Sequence, residues 1–476
     1  MEFTKRDLPK KSENLSEWYT RVILLSELAD YGPAKGTMIY RPYGFAIWEL
    51  IQKDMDARIK ARGVENAYFP LFIPESLLAK EAAHVKGFSP ELAVVTIGGG
   101  KELEEKLAIR PTSETIMYEA YARWVHSWRD LPMQINQWNN VVRWEKRTYL
   151  FLRTTEFLWQ EGHTAHGTHE EAWETVRWAM GMYKDVYNEL FALPGHIGRK
   201  SEAEKFAGAD VTLTYESLMP EGKALQSSTA HDLGQNFSKT FGITFLDKEG
   251  ASQYAWQTSW GLSTRSIGGL IMAHGDDNGL RLPPRLAPVQ VIILPVRMED
   301  QVLNFCHEIK KVLVNSGVRA VVDGGENDTF GSKINKWELK GVPLRFEIGT
   351  KEVEAKTVTA VRRDTREKSS LSAGDLSSSV LEILENIQKD MHKEQEEFLR
   401  LNTREVSTYD DFKNTLAEHR GFISAFWCER AECEEKIKEE TKATTRCLPI
   451  DSMEESGRCI YCGETAKHKW LFGQAY

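Results

Sequence analysis

Four extended patterns follow one another between residues 211 and 265: VTLTYES, GKALQSSTAHDLG, FGITFLD and SQYAWQTSWGLSTR. No amphipathic helix separates them, so they predict one antiparallel sheet. SIGGLIMAHGDD then reads as a helix, and Pro283, Pro284 and Pro288 interrupt the chain. From VQVIILPV onward strands alternate with helices, most clearly a helix over 302–315 and the strand RAVVD. That alternation belongs to an α/β unit, whose layers differ from those of an antiparallel run. The change places a domain boundary near 288. A charged helical stretch over 375–402 leads into a segment holding five of the six cysteines. At about 150 residues per domain, 476 residues accommodate three domains: 1–288, 289–402 and 403–476.

Upstream of the sheet, residues 16–31 read as helix. FAIWELIQKDMDARIKARG sets Phe45, Ile47, Trp48, Ile51, Met55 and Ile59 at helical spacing and ends at Gly63. ENAYFPLFIP is a strand broken by Pro70, and residues 92–110 form a hairpin around GGGK. GGGK lacks the spacing and following helix of a phosphate loop. A helix is predicted from Glu114 to Trp128. The strand QINQWNNVVRWEKR then turns into FLRTTEFLWQEGHTAH, and a long helix follows over 169–191.

The net charge of −9 argues against unspecific nucleic-acid binding by the whole surface. Residues 289–366 differ, with 13 Lys+Arg against 11 Asp+Glu, the sign that a nucleic-acid-handling segment needs. The start, MEFTKRDLPKKSENLSEW, carries no apolar run, and no stretch approaches 18 apolar residues. No leader and no membrane span are expected. Cys306, Cys428, Cys433, Cys447, Cys459 and Cys462 all lie in the last third. A disulfide scaffold would spread them through a small secreted chain, so a reducing, cytoplasmic compartment is expected.

Three constellations in the first domain suggest charge-handling chemistry. Arg143 and Glu145 alternate on one predicted strand face, with Arg153 across the turn. Guanidiniums grip phosphate oxygens in two places, and a carboxylate can accept from an adenine amino group. A surface salt bridge is the plainer alternative. Ser263, Thr264 and Arg265 run into a glycine-containing helix that can hold a phosphate tail. RPTSE, WQEGHTAH and QSSTAHDLGQNF supply Glu114, Trp159, Glu161, His163 and His231. Carboxylates grip an ammonium, and flat rings wall a small apolar ring. Each histidine could equally be a satisfied core residue. His163, His166 and His169 are spaced by three, but with no cysteine before 306 a catalytic zinc is not expected. Cys428-x4-Cys433 and Cys459-x2-Cys462 have the spacing of a tetrahedral structural zinc site. Cys306 reads as helix core, and Cys447 as a loop thiol or a competing ligand.

ENAYFPLFIP, VVRWEKR with FLR, and GLSTRSIGGLIMAH occur in the order of motifs 1, 2 and 3 of class II aminoacyl-tRNA synthetases. RPTSE, FLWQEGHTAH and STAHDLGQNF resemble prolyl-tRNA synthetases, and the whole chain is similar to their archaeal/eukaryotic type. The resemblance implies an α+β fold: a class II catalytic domain on an antiparallel sheet (1–288), an α/β anticodon-binding domain (289–402) and a zinc-binding C-terminal domain (403–476). It implies proline–tRNA ligase activity through a prolyl-adenylate, with ATP, magnesium and structural zinc, and with L-proline and tRNA(Pro) as partners. Motif 1, around Pro70, builds a homodimer interface in similar proteins.

By motif, Arg143 would meet the α-phosphate and the proline carboxylate, Glu145 the adenine amino group, and Arg153 and Arg265 the outer phosphates. Thr154, Gln226, Thr229 and Ser263 fall where the family contacts ATP. Thr112, Glu114, Trp159, Glu161, His163 and His231 would form the proline pocket. In KWELKGVPLRFEIGTKE, the resemblance assigns Trp337, Glu338, Arg345 and Lys351 to the anticodon, although Arg345 and Glu347 could simply pair. Ile334 stands where an aromatic is expected. Tyr476 would reach back toward the active site. Only 121 residues separate Arg143 from Arg265, which leaves no room for the editing insertion of bacterial-type enzymes. Editing in cis is therefore not expected. A catalytically inactive paralogue that binds tRNA is the alternative reading, and a threonine enzyme a third.

Overall fold

The computed structural model describes residues 7–82, 92–325 and 328–476. Helices α1 (Leu15–Leu25) and α2 (Pro42–Ala61) open the chain. In α2, Ile47, Trp48, Ile51, Met55 and Ile59 form one buried stripe, as their spacing predicts. The helix expected over 16–31 stops earlier. The Ser26 hydroxyl turns back onto Val22 O (2.5 Å), and Glu27 takes a positive φ of 61°. Residues Ala29–Tyr31 then form a short strand.

The platform is built from β1 (Met133–Val142), β2 (Glu156–His166), β3 (Gly195–Arg199), β4 (Val211–Leu218), β5 (Ala224–Gly234) and β6 (Trp256–Ser263). Their spatial order is β3-β4-β5-β6-β2-β1, all antiparallel. Helix α3 (His169–Glu189) covers one face, and α4 (Arg265–His274) follows β6 directly. The main core lies between this face and the helices, with Trp18, Trp48, Tyr183, Tyr187, Trp260 and Ile267 buried in it. The other face is left to polar side chains. FGITFLD does not join the platform; Thr244–Leu246 pairs with Ser252–Tyr254 as a separate hairpin. The hairpin at GGGK is present as strands Val94–Gly98 and Lys101–Ile109. The helix after Glu114 ends at Trp124, short of the expected Trp128.

The second unit has β7 (Val291–Pro295) between parallel neighbours, Ala320–Val322 and β8 (Leu344–Ile348). Helix α5 (Phe330–Leu339) and the long α6 (Leu376–Leu401) belong to it. In the last segment, β9 (Phe422–Trp427), α7 (Ala431–Thr441), β10 (Thr444–Pro449) and β11 (His468–Gly473) pack around Phe412, Trp427 and Trp470. This segment is not a separate sheet. Leu448 and Pro449 of β10 pair with Arg199 and Gly198 of β3, so one sheet of eleven strands runs through both regions. Among the described residues no helix is long and apolar enough to cross a membrane.

Candidate active site

The polar face of the platform opens into a cavity of about 660 Å³. Strand side chains alternate, so Trp159, Glu161 and His163 of β2 share one face while Gln160 and Thr164 share the other. Gln160 accepts from Tyr183 of α3 (2.7 Å), which fixes which face is which. Register extends the arrangement sideways. Ser263, Gly261 and Ser259 of β6 stand opposite Trp159, Glu161 and His163, and His231 of β5 stands opposite Ser259.

Thr112, Glu114, Arg143, Glu145, Arg153, Trp159, Glu161, His163, Gln226, Thr229, His231, Ser263 and Arg265 all line this cavity. Thr154 lies in a small adjoining recess beside Phe151 and Leu152, and its hydroxyl is turned to Glu156 O (2.7 Å). The cavity has two chemically distinct ends. At one, Arg143, Arg153 and Arg265 converge. Arg143 remains open to the cavity, with its guanidinium 5.5 Å from the Phe157 ring and 5.4 Å from Trp159, and its Nε donates to Pro111 O. Arg265 Nε donates to Leu152 O (3.0 Å). Desolvation by the surrounding walls lowers the pKa of Arg265 and, although its side chain keeps access to solvent, of Arg143; Arg143 and Arg153 lower Arg265 further. Glu145 pairs with Arg153 (2.7 Å). The charge alternation thus forms a pair, but the partner is Arg153 and not Arg143. The strand itself ends at Val142, so Arg143 to Arg147 lie on a loop and not on the predicted strand face.

The other end is acidic and tightly wired. Glu161 accepts from Ser113 (2.5 Å), Gln137 (3.0 Å) and Asn139 (2.7 Å), and meets His163 Nε2 at 3.0 Å. Burial alone would raise the Glu161 pKa, but His163 and these donors carry it below the ordinary carboxylate value. Burial disfavours the His163 cation, yet Glu161 and Glu114 raise its pKa overall. His231 is pushed down to about 3 by burial and by His163, and Thr212 holds its Nδ1 at 2.9 Å. Glu161 and Glu114 therefore favour the protonated form of His163, while His231 is held neutral. Trp159 Nε1 and the hydroxyls of Ser228 and Ser259 are buried without partners at this cavity. Buried polar groups are rarely left so unless a ligand completes them.

Spacing could not single out Ser113, Gln137, Asn139 or Phe206, because their roles come from cross-strand and loop proximity. His166 bonds to Thr164 (2.8 Å) and His169 to Asp232 (2.6 Å), so the histidine triplet is dispersed into separate contacts. Tyr476 lies over Lys223 (4.8 Å) and hydrogen-bonds Glu221, beside the start of β5 and outside the cavity lining.

In the second unit a basic cavity of about 230 Å³ is lined by Trp337, Glu338 and Arg345 with Arg362, Arg363, Arg366 and Lys368. Arg345 donates to Glu347 (2.9 and 3.0 Å), the pairing that the sequence left open. Trp337 Nε1 is held by Asp323 (2.7 Å). Lys351 is exposed on the short helix Thr350–Ala355, apart from this cavity. Ile334 is half-buried and packs against the Ile292, Leu294 and Val342 cluster.

The thiols of Cys428, Cys433, Cys459 and Cys462 lie within 4.8 Å of one another, Cys428 being 3.6 Å from Cys433 and 3.8 Å from Cys462. Zinc–sulfur bonds of about 2.3 Å in a tetrahedron require sulfur separations of about 3.8 Å, so the donor set fits zinc. Among the described residues no other His, Cys, Asp and Glu cluster has this character. Cys447 is buried in β10 against Gly198 and is not a member.

Residues 95–274 match the tRNA synthetase class II core domain (G, H, P, S and T), 290–383 the anticodon binding domain, and 409–476 the prolyl-tRNA synthetase C-terminal family. A proline–tRNA ligase of Rubrobacter xylanophilus is 51% identical over 472 residues, covering 98% of each chain. Proline–tRNA ligase 2 of Clostridioides difficile is 50% identical, covering 99% of this chain and 98% of its own. Prolyl-tRNA synthetase of Cryptosporidium parvum, solved with halofuginone and AMPPNP, superposes with a TM-score of 0.95 at 43% identity, covering 99% of this chain and 97% of its own. The same enzyme solved with L-proline and AMP gives 0.93, covering 98% and 96%.

Proposed function

The chain belongs to the prolyl-tRNA synthetase family, and from that membership we propose that it activates L-proline with ATP and passes the prolyl group to tRNA(Pro). The observation that carries this reading is one cavity with two ends, three converging arginines beside an acidic, ring-walled recess. The arginine end suits a triphosphate. Arg143 is positioned for the α-phosphate and the proline carboxylate, Arg153 and Arg265 for the outer phosphates, and Glu145 for the adenine amino group. Thr154, Gln226, Thr229 and Ser263 line the nucleotide's path. Glu114 and Glu161 suit the proline ammonium, with Thr112, Trp159, His163 and His231 around its ring.

In the first step the proline carboxylate attacks the α-phosphorus, and pyrophosphate leaves with the bond electrons. The arginines offset the charge that builds on the phosphoryl oxygens, so catalysis is positioning plus electrostatics, with no covalent nucleophile. In the second step the terminal ribose hydroxyl of the tRNA attacks the prolyl carbonyl, and AMP leaves. The basic cavity of the second unit, with Trp337, Glu338 and Arg345, suits the anticodon, and exposed Lys351, outside that cavity, is a further candidate base reader.

The four cysteines would hold a structural zinc, which when bound links α7 to the loop at Cys459–Cys462. Magnesium would arrive with the nucleotide, because an ion held mainly by phosphate and water needs few protein carboxylates. We also assign a homodimer, since Tyr68 and Phe72 flank Pro70 and remain exposed with Ile97 and Trp124. A cytoplasmic location and the archaeal/eukaryotic type complete the reading. Between Arg143 and Arg265 the chain forms platform strands, α3, a short helix (Asn236–Phe241) and the hairpin of Thr244–Leu246 with Ser252–Tyr254, and we infer that it does not edit in cis. An inactive paralogue would have no need to keep three mutually repelling arginines.

ATP–pyrophosphate exchange with a panel of amino acids tests the proposal. Proline is expected to drive exchange best. Faster exchange with threonine would overturn the specificity, and none with any amino acid would favour the inactive paralogue.

A further inference from the structure

Glu434 is a buried carboxylate on α7, next in sequence to Cys433, and it lies far from the polar face of the platform in the chain. Its partners are not local. Ser201, which follows β3, donates to Glu434 Oε1 at 2.7 Å, and the Thr445 hydroxyl of β10 meets the same oxygen. Ser201 is 2% exposed and Thr445 1%. The Ser201 Oγ also accepts the N–H of Glu204 (3.3 Å), and Ser201 O accepts from Lys205 N (2.9 Å). The carboxylate thus closes the start of a tight turn. Lys438, one turn further along α7, reaches Glu204 at 3.5 Å.

The turn leads to the substrate cavity. Glu204 and Phe206 line it, and the Phe206 ring lies 4.6 Å from His231. Phe206 N donates to the same Thr212 hydroxyl that holds His231 Nδ1. Two sets of hydrogen bonds, joined through the backbone of residues 204–206, therefore connect the C-terminal segment to the wall of the acidic recess. The arginine end rests on Pro111 and Leu152 instead, and the C-terminal contacts nearest to it stop at Ala224, where β5 begins.

We propose that Glu434 is a positioning residue for the amino-acid end of the cavity, acting through Ser201 to fix the turn 201–207 and thereby Phe206 against His231. This rests on the assignment of that end to proline. The carboxylate needs only to accept, so a glutamine at 434 keeps the Ser201 bond and an alanine does not. Steady-state exchange on the full-length protein separates the cases. Glu434→Ala and Ser201→Ala are each expected to raise the KM for proline roughly tenfold while the KM for ATP stays within about twofold, because displacement of one wall affects only the ligand it touches. Glu434→Gln is expected to stay near the parent protein. Proline titration followed by tryptophan fluorescence should show the same split without turnover. Proline KM unchanged in both alanine variants, or proline and ATP KM rising together, would overturn the proposal. If Glu434→Ala does not fold, Ser201→Ala alone decides. Failure of the parent protein to use proline would instead defeat the assignment of the cavity.

Discussion

Arg143 and His163 show how single side chains in this cavity trade stability for chemistry. The surroundings of Arg143 lower its pKa, first through burial, although Glu114, Glu161 and Glu145 oppose the shift. Its charge is partly desolvated although the side chain stays open to the cavity, and a phosphate or carboxylate bound there would compensate it. Arg143→Ala is expected to cut ATP–pyrophosphate exchange by about 10²–10³-fold and to leave the unfolding temperature of the ligand-free protein unchanged or higher. A large fall in that temperature would return Arg143 to a structural role. His163 and Glu161 behave differently. The pKa of His163 is raised in the fold, so its contribution is full below about 6.5 and is lost as pH rises through the raised value. The pKa of Glu161 is depressed, so its contribution is present above its ordinary value and is lost as pH falls. The pair is strongest between these limits. The difference in unfolding temperature between the parent and His163→Gln should therefore shrink as pH rises above 6.5. A gap constant from pH 6 to 9 would show that His163 is not a cation here.

At the scale of elements, alternation and register do most of the positioning, and they mark where the sequence could be read. Trp159, Glu161 and His163 were legible as ring and carboxylate types within WQEGHTAH, and period 2 along one long strand is what brings them to a single face. Glu434 and Phe206 were not, because their partners lie on elements far away in sequence. VVRWEKR misled for a physical reason. The β1–β2 ladder extends only one bond past Val142, from Arg143 N to Thr155 O (2.8 Å), and beyond it alternation has no sheet to act on. The helix over 16–31 failed similarly, since apolar spacing does not register the capping bond of Ser26. Gly162 provides an element-level test. It stands opposite Trp260 of β6, and a Cβ there would overlap the indole ring, which itself packs edge-on against Trp178. Gly162→Ala is expected to cost about 1–3 kcal/mol by overpacking, measured by urea unfolding. A neutral result would mean that β2 and β6 are not as closely apposed as described.

Across the whole molecule the C-terminal segment is structurally continuous with the catalytic platform. The eleven-stranded sheet joins them through β10 and β3, and a buried triad sits at the seam. Glu216 of β4 is fully enclosed. It receives Lys200 at 2.9 Å on one oxygen and Arg446 of β10 at 2.8 and 3.1 Å on the other. Burial would raise its pKa, yet the two cations bring it below the ordinary value. A buried ion pair gives little net stability by itself, but breaking one leaves an uncompensated charge. Arg446→Met removes one of two cations and leaves Glu216 with Lys200 alone. Glu216 keeps one counter-charge, so the expected loss is that of hydrogen bonds to a charged group, about 1.5–3 kcal/mol, read from urea unfolding of the full-length protein. Because β3 and the turn after Ser201 border this seam, the loss should come with a higher proline KM. Arg446→Met combined with Glu216→Gln leaves Lys200 as an uncompensated buried cation and should be less stable than Arg446→Met alone. If the double variant is as stable as the single one, the seam is held by strand pairing and packing, and the triad contributes nothing of its own.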